Sequence, residues 1–307
     1  MTTNDVDVDD PHQLASAPVV VGVDGTEAAD PAVRWAAETA ARRGRRLRLV
    51  HGLDLVAAEA VLGTYDLLVP SITEHLRIHG AEYLAAARKL AHEVDPDLPV
   101  ELELSEDNPA RLLVAASETA HMVVLGATDG VGTIGHLGSV LVAVASHGHG
   151  AVVVVHDAGM DQQTRTLGPV VVGVDGSETS AHAVGAAFAE ADMRGVQLIA
   201  VHAWADPHFD RPAGLPDTIR DGDVAALADR VVAESLAGWQ EKYPDVVVIR
   251  KVFQSNPRHH LRQWSKAAQL LVVGSRGRGG FHGLMLGSTS NYLVQRAQCP
   301  VMVVHTP

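Results

Sequence analysis

The chain has 307 residues, which at roughly 100–200 residues per domain suggests two domains. Apolar residues make up 47%, too many for a disordered chain, and 24 Lys and Arg against 37 Asp and Glu leave a formal charge of −13. That charge is a poor match for nucleic acid or an anionic membrane. The single cysteine, Cys299, excludes an internal disulfide and a cysteine-rich zinc site, and it suits a reducing, cytoplasmic setting. No run of about 18 apolar residues marks a membrane span. The opening segment carries Asp5, Asp7, Asp9 and Asp10 and no basic residue, unlike a secretory signal.

The chain repeats itself. Val19-Val20-Val21-Gly22-Val23-Asp24-Gly25 returns as Val170-Val171-Val172-Gly173-Val174-Asp175-Gly176, an offset of 151, and 17 of the 33 positions from Val19 to His51 are identical in the second copy. Later marks return at similar offsets, such as Asn108-Pro109 with Asn256-Pro257. The sequence therefore divides into an acidic, mobile tail (1–17), a first domain (18–157), a polar linker (158–168) and a second domain (169–307).

Each copy follows the same order. A valine-rich strand comes first (Val19–Asp24, Val170–Asp175). A helix follows, in the first copy with Asp30 as cap, Pro31 in the first turn and Gly44 at the end. A second strand ends at His51 and His202. A longer helix carries Ile72, Leu76, Tyr83, Leu84, Ala87 and Leu90 at helical spacing. The third strand is Val100–Leu104 or Val246–Phe253, and Asn108 and Asn256 cap the next helix. A fourth strand runs to Gly126 or Gly274. A glycine-rich loop, a helix and a fifth strand (Val152–Val155, Val301–Val304) close the copy.

Alternating strands and helices predict an α/β fold: two Rossmann-like domains, each with a parallel sheet of order 3-2-1-4-5. In such sheets ligands bind beyond the carboxyl ends of the strands where the order reverses. Here that is between strands one and four, at Asp175 and Gly274 or at Asp24 and Gly126. The final strands are wholly apolar, and an uncovered apolar edge aggregates. Pairing the two edges would make the domains an intramolecular pseudo-dimer, with a homodimer of the tandem chain as a further expectation.

The second glycine-rich loop runs Gly274-Ser275-Arg276-Gly277-Arg278-Gly279-Gly280 and resumes at Gly287-Ser288-Thr289-Ser290. Its skeleton is Gly, two residues, Gly, nine residues, Gly, Ser. With 28 glycines in the chain, such a spacing arises by chance about 0.03 times, so it is a signal rather than a composition effect. Glycines let backbone approach a phosphate, successive N–H groups form an anion nest, and a helix beginning near Gly287 aims its positive end at the same place. Arg276 and Arg278 add charge, and Ser288, Thr289 and Ser290 add hydroxyls.

This loop after a strand, with Val-Gly-Val-Asp-Gly-Ser opening the domain, resembles the universal stress protein family, specifically its tandem, ATP-binding type. The resemblance covers 18–157 and 169–305. It implies an adenine nucleotide, ATP with Mg2+, and regulation under stress rather than turnover. By position it implies that Gly173 lies under the adenine, that Ala203 offers backbone hydrogen bonds to the base, and that Asp175 meets ribose or base. Asp206 adds a weaker acceptor. Gly274, Ser275, Arg276, Gly277, Arg278, Gly279 and Gly280 would wrap ribose and phosphates, and Gly287, Ser288, Thr289 and Ser290 would hold the terminal phosphates. A metal ion would sit by Asp175, or by Asp24 in the first copy. The Asp175 carboxylate also suits a simple capped turn.

The first copy carries the weaker counterparts Gly22, Asp24, Gly52, Gly126, Gly130, Gly132, Gly138 and Ser139. Its loop is one residue shorter, with Asp129 in place of Gly277, no arginine, and Val140 and Leu141 in place of hydroxyls. A carboxylate beside phosphates repels them unless a cation intervenes, so this copy is expected to bind ATP weakly or not at all, or to need a metal at Asp129 and Asp24.

Other constellations carry less. Gly130-x-Gly132-x-x-Gly135 follows strand four, whereas a dinucleotide fingerprint follows strand one. His147, His149, His259 and His260 lack a metal-ligand frame. His51 and His202 are expected to pack near the switch point. Trp239 and Tyr243 read as core or interface packing rather than a base-stacking platform. No catalytic residue is assigned, because no nucleophile motif and no base for an attacking water stand out. The expected function is thus ATP-dependent stress or growth regulation, through an unknown protein partner. Alternatives are a slow ATPase or nucleotide-dependent transferase, a scaffold with decayed sites, and a binder of cyclic AMP or AMP.

Overall fold

The computed structural model of the protein describes residues 10–62, 69–127, 138–156, 167–204, 221–254, 256–278 and 286–306. The chain separates into two compact units, Met1–Asp157 and Ala158–Pro307.

The first unit runs β1 (Val19–Gly22), α1 (Ala29–Arg43), β2 (Leu47–Gly52), α2 (Leu55–Leu62), α3 (Val69–Val94), β3 (Val100–Ser105), α4 (Pro109–Ser117), β4 (Met122–Ala127), α5 (Ser139–His147) and β5 (Ala151–His156). Its strands are ordered β3-β2-β1-β4-β5. All pairings are parallel, with Val20 beside both Arg48 and Val123. The switch point between β1 and β4 is therefore where the sequence puts it. Val19, Val20, Val21, Val123 and Val124 are fully buried, as β-branched residues in a doubly covered sheet should be. One face is covered by α1 and α3, the other by α4 and α5.

The second unit repeats the plan: β6 (Val170–Gly173), α6 (Glu178–Arg194), β7 (Leu198–Trp204), α7 (Asp221–Lys242), β8 (Val248–Gln254), α8 (Pro257–Trp264), β9 (Leu270–Gly274), α9 (Ser288–Arg296) and β10 (Val301–Val304). Its order is β8-β7-β6-β9-β10, again parallel. Trp239 and Tyr243 are half-buried and stack at the side of Phe188, a buried residue of α6. Trp239 also fills the space a side chain at Gly185 would need.

Local signals were read with mixed success. Asn108 accepts from the amides of Ala110 and Arg111, and Asn256 from that of Arg258, as N-caps do. Gly44 ends α1 with φ 61°. Asp30, however, lies inside the first turn, because the helix begins at Ala29 behind Ala28. Helix α2 was not anticipated: eight residues carry too few turns for a clear period. Part of the expected tail is anchored. Arg45 donates to the carbonyl of Ala17 at 2.9 Å, and His12 Nδ1 lies 2.7 Å from the carbonyl of Ala120. The first contact satisfies a tail carbonyl and the second ties a tail side chain to the body of the unit, neither of which composition alone would show.

A buried polar cluster closes the base of the second unit. Arg194 donates to Glu190 at 2.9 Å and to Gln269 at 3.0 Å, and Gln269 donates to the carbonyl of Gly168 at 2.6 Å. The Arg194 and Glu190 side chains are only 5% and 3% exposed. Removing one charge strands the other in a medium that cannot solvate it. Glu190→Ala should therefore destabilise the second unit by about 3–5 kcal/mol in urea denaturation. Cys299 is fully buried, and burial pushes its thiol far above the ordinary range. It should resist iodoacetamide at pH 8 in the native protein and react once denaturant is added, as counted by mass spectrometry.

Candidate nucleotide site

In the first unit the carboxyl ends of β1 and β4 open onto a cavity of about 260 Å³. Its walls include Gly22, Asp24, His51, Gly52, Gly126, Gly138 and Ser139. The expected first-copy residues within the described segments thus converge on one crevice. Gly130 and Gly132, with Asp129, lie outside the described residues. The sequence reading missed the floor, which α4 supplies through Pro109 and Leu113. The Asn108 cap that starts this helix was the available signal.

The glycines of this crevice do different work. A methyl group at Gly126 would overlap the backbone carbonyl of Ala28, where the β1–α1 loop crosses the end of β4. One at Gly22 would meet Leu125 and Leu113 at 2.8 and 2.9 Å, and one at Gly52 would meet the backbone of Asp107 and Pro109 at 2.8 Å. Those three are needed by the protein's own packing. Gly138 differs: a methyl there meets nothing within 4 Å. It caps α5 without a side-chain hydrogen bond, and Ser139, Val140 and Leu141 in the first turn of that helix line the cavity.

Asp24 forms a local turn. Its Oδ1 accepts from the amide and hydroxyl of Thr26 at 3.0 and 2.6 Å. Among the described residues its Oδ2 has no hydrogen-bond partner. His51 Nδ1 lies 2.6 Å from the carbonyl of Val23. A carbonyl only accepts, so Nδ1 carries the proton and the ring is held at the wall by β1. His202 repeats the contact with Val174 at 2.6 Å.

The second unit places its residues differently. Asp175 Oδ1 accepts from the amide and hydroxyl of Ser177 at 2.9 and 2.6 Å, the same turn. Its Oδ2 accepts from the amide of Arg278 at 3.1 Å. The start of the glycine loop is thus latched onto the carboxylate, and a side chain at Gly277 would strike that oxygen. Gly173 lies over Leu261 and Val273, Ala203 pairs with Phe253 at the end of β7, and Gly274 passes against Thr179. Arg276, Ser288 and Thr289 stand around the entrance to α9, Arg276 and Ser288 exposed. Asp206, Gly279 and Gly280 lie outside the described residues.

Three donors expected for phosphate are committed elsewhere. Ser290 is buried and donates to the carbonyl of Gly274 at 2.6 Å. The Gly287 amide donates to Ser275 at 2.7 Å, and the Ser275 amide donates to Val304 at 2.8 Å. The physical reason is that the ends of the connection from β9 to α9 must satisfy their own backbone before they can serve a ligand. Among the described residues no three metal-ligating side chains converge, at Asp24, Asp175 or elsewhere. No described helix is long and apolar enough to cross a membrane.

The family model for the universal stress proteins matches twice, over residues 16–156 and 167–305. The chain belongs to the universal stress protein family. Membership gives it a role in the stress response. A universal stress protein of Mycolicibacterium smegmatis is 40% identical over 291 residues, covering 93% of this chain and 96% of the relative. One from Mycobacterium tuberculosis is 38% identical over 299 residues, covering 94% and 96%. Among solved structures, a universal stress protein from Archaeoglobus fulgidus has a TM-score of 0.67 at 18% identity, covering 94% of this chain and 98% of that one, which supports the fold.

Two substitutions separate a packing glycine from one that faces open space at the crevice. Gly126→Ala should lower the thermal midpoint of the universal stress protein fold by several degrees, because backbone must move. Gly138→Ala should cost under about 1 kcal/mol and leave the fold intact while narrowing the crevice mouth. Differential scanning calorimetry compares them directly.

Proposed function

We propose that the protein is a nucleotide-responsive regulator of the stress response that binds ATP in the crevice of each unit. The observation that carries this reading is the first-unit cavity. It lies at the switch point, is lined by an unobstructed Gly138, and takes part of its wall from the first turn of α5. Its volume is close to the lower end of the roughly 300–1,000 Å³ typical of ligand pockets, a fit for the nucleoside end of the molecule. The phosphates would lie toward Gly138 and Ser139, where the helix N-terminus favours an anion. Asp24 Oδ2 is positioned to share a magnesium ion carried in with the nucleotide, which neutralises phosphate charge.

In the second unit the same carboxylate holds the loop. A phosphate and the Asp175 carboxylate are both anions competing for the Arg278 amide. Binding there would exchange one acceptor for the other and release the loop from Asp175. The two loop states give a partner something to distinguish, because a ligand shifts an equilibrium by its difference in affinity for the two states. The reading is binding rather than turnover: the crevice supplies positive dipoles for phosphate, while His51 has its Nδ1 proton tied to Val23.

Mass spectrometry of the small molecule released on denaturing purified protein should identify an adenine nucleotide. Calorimetric titration should find two equivalents of ATP per chain. Asp24→Ala and Asp175→Ala should each remove one of them by at least tenfold. No adenine nucleotide released and no uptake at millimolar ATP would overturn the proposal. A single equivalent lost equally in both variants would overturn the assignment of one site to each unit.

A further inference from the structure

Helix α3 presents His75, His79 and Tyr83 at successive i, i+4 positions, so all three lie on one face. The three side chains are exposed, and their rings run as a ladder. The His75 and His79 centroids are 6.2 Å apart at 49°, and those of His79 and Tyr83 are 6.3 Å apart at 22°. Nothing in the crevice chemistry uses the two histidines.

Their hydrogen bonds fix which nitrogen is available. His75 Nδ1 lies 3.1 Å from the carbonyl oxygen of Ser71, one turn back. His79 Nδ1 lies 3.1 Å from a carboxylate oxygen of Glu82. A carbonyl and a carboxylate accept and do not donate, so both Nδ1 atoms carry the proton. Each neutral ring then turns an Nε2 lone pair outward, the form that ligates metal. A ligating histidine characteristically gives its other N–H to a carboxylate or backbone carbonyl, which orients the ring and raises its basicity. Here both kinds of partner are in place without a metal.

A shared ion requires a small closure of the pair. With a metal–nitrogen bond of about 2.1 Å, and about 1.1 Å more to each ring centre, two rings at about 90–109° on one ion have centroids about 4.5–5.2 Å apart. The observed 6.2 Å is wider by about 1 Å, a gap that side-chain rotation can close because both rings are exposed. Arg77, between the two in sequence, is paired with Glu106 and Glu74, so its charge is offset. Among the described residues no third ligand joins the pair, which leaves the remaining coordination positions to solvent.

We propose that His75 and His79 form an exchangeable two-histidine site for a transition-metal dication, with Glu82 orienting His79 from behind. Imidazole selects Zn2+, Ni2+ or Cu2+ over Mg2+, which prefers oxygen, so this site is chemically distinct from any magnesium at Asp24.

The test is calorimetric titration of NiCl2 and of ZnCl2 into the full-length chain carrying no affinity tag, at pH 7.5. One equivalent should bind to the native protein. The double variant His75→Ala with His79→Ala should weaken it at least tenfold, with the circular dichroism spectrum unchanged because both side chains are exposed. The double variant His147→Ala with His149→Ala, a second close histidine pair, should leave it unaltered. Glu82→Gln should weaken it several-fold. No uptake by the native protein, or undiminished affinity without His75 and His79, would overturn the site. Undiminished affinity in Glu82→Gln would overturn the role given to Glu82.

Discussion

The crossing of backbone over backbone at the end of the fourth strand shapes everything around it. In the first unit the β1–α1 loop lies so close to Gly126 that no side chain fits between them. In the second, Gly274 lies against Thr179 in the same way, with backbone and methyl atoms 3.0–3.1 Å from where a side chain would begin. A glycine here lets helix α1 or α6 settle directly over the fourth strand. That contact sets the depth of the crevice and the direction in which the next loop leaves the sheet. Valine-rich strands supply the hydrophobic drive, but this approach decides the shape of the ligand-facing end.

On that common frame a carboxylate stands at the carboxyl end of the first strand in each copy. Asp24 and Asp175 both close a turn with a hydroxyl residue two positions on, a hydrogen-bonding habit of aspartate at such places. Among the described residues the second oxygen of Asp24 has no hydrogen-bond partner, while that of Asp175 accepts from the amide of Arg278. The second contact is a latch across the start of the glycine loop.

The latch also clarifies which loop atoms are free to act. Ser275, Gly287 and Ser290 look like phosphate donors in a string of glycines and hydroxyls. In the fold they satisfy the strand-to-helix connection itself. An amide or hydroxyl proton serves one strong acceptor at a time, so these groups define the loop's anchor points.

The sequence determined the duplication, the strand order and the location of the crevice. These depend on short-range patterns: valine runs, Asn-Pro caps, and glycines at strand ends repeating at a fixed offset. It could not show that Gly22, Gly52 and Gly126 are required by Leu113, Pro109 and Ala28, because those neighbours lie far away along the chain. Nor could it place the buried Glu190–Arg194 pair, whose residues look like any exposed helical i, i+4 ion pair until Gln269 and Gly168 close over them. The tertiary structure alone decided which donors remain for a ligand. A hydrogen-bonding group is available only if no neighbour in space has claimed it, and folding, not spacing, chooses those neighbours.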